Sequence, residues 1–242
     1  MSRVLARQLG CGLAMLLTVG QAPLARAEAV GSPASILKKG RWAMGLVGGW
    51  VADRNFKGNA QATVVHAGHF RGYGLTDRLS LYGRLGGAGI EVDDPSIQKI
   101  DRSTTHSFGL NFVGAIQLKA RVMESKRFGV EWDASAQYLE MRAGHKDKNE
   151  GRWHEGQLAT GLAKSLGRFT PYAGVKFAMV DFVYKVRESG TLLRQDKYEQ
   201  ETPVGLYAGT DVRFGEQQDV ILNIEVDYLD GLEVTIALSY TF

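Results

Sequence analysis

Glu131 and Asp133 are the carboxylates best placed to act together, because residues two apart on an extended strand share one face. Crowding of that kind raises one pKa and is how acid/base pairs are made. The commoner role of such a pair is to face Lys or Arg on a neighbouring strand, and that is the expectation here. His66 and His69 suggest a metal, but their spacing puts them on opposite faces of a strand. His145 and His154 lie near a charged segment with no acidic or cysteine partner at ligand spacing. A hydrolase needs a His beside a nucleophile or an acid. His145 with Glu140 or Glu155 is the nearest such set, and Ser135 lies lower on its strand. Gly86, Gly87 and Gly89 have the composition of a phosphate loop, yet they sit inside a strand pattern with no helix after them. The residues therefore predict no catalytic, cofactor-binding or metal site, and no enzyme.

What the chain does carry is alternation. From Gly40 onward the apolar signal has a period of two. Phe108, Leu110, Phe112, Gly114, Ile116 and Leu118 fall on one face, against Asn111, Gln117 and Lys119 on the other, with Val113 the exception. Phe128, Val130, Trp132, Ala134, Ala136 and Tyr138 oppose Glu131, Asp133, Ser135 and Gln137. Ten strands are predicted, at 40–53, 61–74, 79–91, 104–119, 127–142, 152–165, 169–186, 200–214, 220–229 and 232–242. They are longer than the five or six residues usual in soluble sheets, and long enough to cross a bilayer at a tilt. Asp181 breaks the phase of the seventh and predicts a bulge or an earlier strand end there. Tight connections at 75–78, 120–126, 165–168 and 215–219 alternate with longer charged ones at 92–103, 143–151 and 187–199, and Asp230-Gly231 makes a final tight hairpin.

The first 27 residues read as a leader. Arg3 and Arg7 precede the apolar run Gly12–Val19, and Ala25-Arg26-Ala27 supplies a small-x-small cleavage site. Removing that leader takes away Cys11, the single cysteine, and leaves 26 basic side chains of the original 29 against 26 acidic ones. Disulfides and a basic nucleic-acid surface are thereby excluded. Residues 28–39 are expected to form a short periplasmic lead-in, and 40–242 the folded domain. Of the 242 residues 30 are glycine with only 5 prolines, which is not a linker composition.

Two features place the greasy face outward. The apolar faces run unbroken for five or six positions, matching an apolar band of about 25 Å. Aromatic residues stand near their ends, as at a membrane–water boundary. Trp42, Phe128, Phe169, Phe214, Tyr240 and Phe242 would ring the short-turn rim; Trp50, Phe108, Tyr138 and Tyr228 would ring the loop rim. The opposite faces carry Arg84, Glu131, Asp133, Lys176, Asp211, Arg213, Glu225 and Asp227 in mid-strand, which predicts a charge network across a narrow, mostly occluded lumen.

The ending Ala237-Leu238-Ser239-Tyr240-Thr241-Phe242 resembles the C-terminal signal of Gram-negative outer-membrane proteins, in which Tyr240 and Phe242 would be read by the barrel-assembly machinery. The run Gly72–Gly86 resembles the second hairpin turn of small opacity-type and OmpA-like barrels, and Thr170-Pro171-Tyr172-Ala173-Gly174-Val175 resembles a strand opening in that group. The resemblance implies an all-β fold: one antiparallel up-and-down transmembrane β-barrel. The chain's own pattern gives about ten strands, with eight or twelve as alternatives. Because the group includes plugged barrels, adhesins, narrow pores and a few enzymes, it implies no activity. The expected role is a structural or surface-interaction barrel of the outer membrane. Its partners would be membrane lipid and lipopolysaccharide, and a surface protein or host ligand at the loops. A narrow pore for small solutes is the alternative, and an outer-membrane enzyme a more distant one.

Overall fold

Alternation from Trp42 onward becomes eleven strands in the computed structural model, which describes residues 36–93, 105–144, 150–188, 191–217 and 219–242. The expected leader and most of the expected loops at 92–103 and 143–151 lie outside the described residues. The strands are β1 (Trp42–Phe56), β2 (Ala60–Thr76), β3 (Leu79–Asp93), β4 (Thr105–Ser125), β5 (Val130–Gly144) and β6 (Glu150–Lys164). They continue as β7 (Phe169–Glu188), β8 (Thr191–Glu199), β9 (Val204–Phe214), β10 (Val220–Tyr228) and β11 (Leu232–Thr241). Each of β1 to β7 pairs antiparallel with the next, β7 also pairs with β9, and β9–β10–β11 returns to β1. The result is a closed antiparallel barrel of ten strands.

The eleventh strand comes from the segment read as a charged loop at 187–199. β7 runs on to Glu188 and turns back as β8, which pairs with the upper part of β7 while β9 pairs with its lower part. β8 and β9 thus form one interrupted strand. The short β10–β11 hairpin stops beneath β8, and β1 leans over it. Phe56 bridges Gln200, and the Lys57 amide donates to the Glu199 carbonyl at 3.0 Å. Below, Asp230 holds this seam: its carbonyl accepts from the Asn55 amide at 2.8 Å, and its carboxylate accepts from the Thr202 amide. At the loop rim the wall therefore consists of β1 to β8, without β9 to β11, and β8 meets β1 at the Phe56–Gln200 bridge.

The faces change polarity along the strands while the phase stays fixed. On β5 the inward residues are Glu131, Asp133, Ser135 and Gln137, then Leu139 and Met141; the outward ones are Trp132 to Tyr138, then Glu140 and Arg142. On β7 the outward Val175, Phe177 and Met179 give way to Asp181, and the inward Lys176 to Val180, Phe182 and Tyr184. Asp181 marks no bulge and no strand end, since the β6–β7 register is continuous from Glu150 to Ala163. It marks the level at which the outward face changes from apolar to polar. Val113, the exception in its strand pattern, is fully buried in the same upper core.

That upper core is aromatic. Phe56, Trp153, Phe182 and Tyr198 contact one another with ring centroids 5.6–6.2 Å apart. Aliphatic residues from β1 to β5 close around them. An eight-strand wall is the size that side chains can fill, and here they fill it. Lower down, tyrosines lie along the inner wall over glycines of the adjacent strand: Tyr172 lies opposite Gly209 and Tyr207 opposite Gly174. A Cβ at Gly209 would stand 2.4 Å from the Tyr172 hydroxyl, so only glycine leaves room for the ring. At the turn rim, Leu37 packs with Phe70, Tyr82 and Ala237, and its amide donates to Ser80 Oγ at 2.8 Å. Ile36 and Leu37 thus tuck into the mouth of the barrel at that end, and the exposed residues after them are tied to the rim by Gly40 N–H donating to the Gly74 carbonyl.

Candidate functional site

The interior charges lie between the aromatic core and the lower tyrosines. β1 carries a bulge between Val51 and Arg54, where Asp53 adopts φ +47°, and this turns Arg54 inward. Arg54 is fully buried and donates from Nη1 to Glu155 at 2.9 Å and from Nη2 to Glu233 at 3.2 Å. Lys176 contacts Glu233 at 3.3 Å and Asp227 at 3.0 Å, so Glu233 is shared by two cations. Glu155 also accepts from Trp153 Nε1 at 2.9 Å and from Gln157 at 2.6 Å. The Arg54 guanidinium stands 5.5 Å from the Trp153 ring, which joins this layer to the aromatic one above. Buried charges are tolerable only when paired and hydrogen-bonded, and each charge of this layer has a partner of opposite sign.

Around that network the other inward residues form smaller groups. Arg84 donates from Nη2 to His66 Nδ1 at 2.5 Å, so that ring nitrogen carries no proton. Tyr172 donates to Glu225 at 2.9 Å, and Asn223 donates to Tyr172 at 2.7 Å and to Asp211 at 2.6 Å. Arg121 meets Glu131 at 2.7 Å and Asp133 at 3.9 Å, which is the ion-pair use expected of that carboxylate pair. Arg213 lies half-buried on the inward side of β9 near the turn rim. Of the eight charges read from the sequence, then, Lys176 and Asp227 meet directly, while Glu131 and Asp133 meet an arginine that reading omitted.

Arg54, Glu155, Glu233, Arg121 and His66 were missing from it. Glu233 lay in plain view on the face opposite Leu232 and Val234. Arg54 could not be placed by parity, because counting through the bulge puts it on the outer face. A cavity of 20 Å³ bordered by His66, Arg84, Glu155 and Asp227 leaves room for about one water molecule.

His69 points outward from β2 while His66 is buried, so the two share no ligand. His154 is also outward, accepting or donating at Nδ1 with the Tyr138 hydroxyl at 2.9 Å; Glu140 stands opposite it, and Ser135 and Glu155 face the interior. His145 lies outside the described residues. Gly86 belongs to β3, where a Cβ would stand 2.1 Å from the Ala67 carbonyl: close strand approach, not a phosphate loop. Among the described residues no three His, Cys, Asp or Glu side chains are grouped to hold a metal.

Outside, an apolar band is bounded by two aromatic rows. Trp42, Phe128, Phe169, Phe214, Tyr240 and Phe242 are exposed at the turn rim; Tyr138 and Tyr228 are exposed at the loop rim, where Trp50 is half-buried. Phe108 is in β4, but its side chain lies outside the described residues. From Val220 to Tyr228 the band spans about 27 Å along the strand at 3.3 Å per residue, which at a barrel tilt of about 40° is roughly 20 Å of membrane. An apolar belt with aromatic rims around a charged, paired interior is the inverted arrangement that lipid demands, and it defines the chain as a β-barrel of the outer-membrane class.

No protein family and no curated protein matches the chain. Among solved structures it is similar to the outer-membrane protease OmpT of Escherichia coli, at 10% identity and a TM-score of 0.48, covering 84% of this chain and 96% of that one. It is similar to OprG of Pseudomonas aeruginosa at 13% identity and a TM-score of 0.40, covering 89% and 99%. Ail, the attachment invasion locus protein of Yersinia pestis, matches at 11% identity and a TM-score of 0.31, covering 84% and 99%. The first is an outer-membrane protease, the second an outer-membrane protein and the third an attachment and invasion locus protein.

Proposed function

We propose that this chain is a non-conducting outer-membrane barrel that acts at the cell surface, through the strands and hairpins rising above its loop-rim aromatic row. The observation that supports it is the blocking of the interior at three levels. Leu37 and its neighbours stop the periplasmic end, the Arg54–Glu155–Glu233–Lys176–Asp227 network spans the middle, and the Phe56–Trp153–Phe182–Tyr198 cluster closes the outer end. A structure that fills its pore and extends its wall beyond the membrane has put its sequence into presenting a surface. The strands β5 to β8 supply that surface, with Asp181, Lys197 and Glu199 exposed on it.

The test is single-channel recording of the refolded chain in a planar bilayer, after circular dichroism has shown β structure. Silence across the voltage range is the expected result. Discrete, reproducible current steps would overturn the reading and make the chain a narrow pore, with the ionic layer as its selectivity filter.

A further inference from the structure

The outer wall is not uniformly smooth. Between β4 and β7, just below the loop rim, an apolar groove of 480 Å³ opens on the lipid-facing side. It exists because Ala136 and Gly156, on adjoining strands, leave a trough between Ile116 on one side and Leu158 and Met179 on the other. A Cβ at Gly156 would touch nothing within 4 Å, so no packing within the barrel requires the missing side chain. Tyr138 stands at the outer end of the trough.

Directly above that end the outward face carries two arginines in one cross-strand pair, Arg142 on β5 opposite Arg152 on β6. Like charges directly opposite each other oppose sheet formation. Each is moderated by its own strand: Arg142 donates from Nε to Glu140 at 2.7 Å and Arg152 from Nε to Glu150 at 2.6 Å. Both ties use only Nε. Among the described residues the Nη forks have no other bond, and the side chains remain 54% and 40% exposed. Two guanidinium groups carried by directly paired positions offer donors suited to a phosphate.

An apolar trough in the outer half of a membrane band, with a paired arginine fork about 10 Å above its mouth by strand rise and tilt, fits one kind of molecule. We propose that the β4–β7 wall is a docking site for lipopolysaccharide, with an acyl chain lying in the groove over Ala136 and Gly156 and a phosphate held between Arg142 and Arg152. The complementarity is double: the groove takes hydrocarbon, and the opposed arginines gain the anion that relieves their repulsion. The inference rests on the outer-membrane reading and adds a specific lipid and a specific side of the barrel.

The experiment titrates purified lipopolysaccharide into the refolded, detergent-solubilised chain and counts bound lipid by native mass spectrometry. Phosphatidylglycerol and dephosphorylated lipopolysaccharide serve as competing probes. The expected result is saturable binding of lipopolysaccharide at least about tenfold tighter than of phosphatidylglycerol. The double variant Arg142→Ala/Arg152→Ala should lose about that factor, and so should dephosphorylated lipid on the unaltered chain. Gly156→Leu, which fills the trough without touching the arginines, should weaken binding separately. Equal retention of both lipids, or binding unchanged in both variants, would overturn the proposal and leave ordinary solvating lipid. Heat-modifiable migration on gels shows that each variant is folded. Failure of the chain to enter vesicles would instead sink the outer-membrane reading itself, so the two failures are distinguishable.

Discussion

Arg54 should be far more costly to remove alone than together with its partners. Its side chain is wholly buried between Glu155 and Glu233, and truncating it leaves two carboxylates facing each other without their shared cation. Breaking a buried pair in this way costs about 3–5 kcal/mol, whereas replacing both members by matched neutral groups is often close to neutral. Arg54→Ala should therefore lower the urea midpoint of the refolded barrel by that equivalent, and adding Glu155→Gln should restore part of it. Equal midpoints for Arg54→Ala and the unaltered chain would show that the network is not coupled to folding. The same residue shows why the candidate site was only partly legible in the sequence. Lys176 and Asp227 follow strand parity and were readable; Arg54 lies past a bulge whose presence rests on a positive φ at Asp53, an exposed residue that nothing in the alternation marks. Glu155 was hidden by the weak patterning of β6, whose outward face mixes Arg152, His154, Gly156 and Leu158.

Strands β5 and β7 each serve two solvents, and substitutions on the outward face of the wall should tell where one ends. Ile224→Arg, in the apolar band on β10, should destabilise the barrel by about 2–4 kcal/mol, as an arginine near the bilayer midplane does. Val183→Arg is also outward, two residues past Asp181, and should fall within about 0.5 kcal/mol of the unaltered chain, as at an aqueous surface. Equal costs measured in lipid vesicles would remove the boundary. Alternation revealed the ten wall strands because lipid enforces a greasy outer face; above the boundary that enforcement stops. The segment around Arg194–Glu199 consequently looked like a charged loop, although it pairs with β7 throughout. Its attachment to β1 has a pH signature. Glu199 is held below its ordinary carboxylate range, first by the hydrogen bond from Lys57 and then by that cation's charge. A depressed pKa contributes stability above the unfolded value and loses it as pH falls through the folded one. The Lys57 amide, which donates to the Glu199 carbonyl, should therefore exchange faster as pH drops below the usual carboxylate range, after correction for intrinsic rates. The pair is exposed, so added salt should produce the same loosening at neutral pH.

Taken whole, the barrel has its obstructions in series, and a current needs every one of them open at once. Ile36 and Leu37 pack into one end, the ion pairs bridge the middle, and the aromatic cluster fills the wall of β1 to β8 at the other. Deleting residues 36–39 removes Leu37 from the lower core but leaves the other two layers standing. Trp153→Ala with Phe182→Ala empties the upper core, at a cost of about 3–5 kcal/mol for each large aromatic, while the Leu37 stop and the salt bridges of Lys176 remain. Each change alone should consequently give a folded barrel that stays silent in a planar bilayer. Conduction by the deletion alone would mean that the aromatic cluster parts readily and that the barrel is gated from the periplasmic side. Conduction by the aromatic variant alone would move the gate to the cell surface, where the loops of 92–103 and 143–151 attach. Silence in both is what a wall built for presentation requires, since its interior then serves to hold β5 to β8 rigid above the membrane.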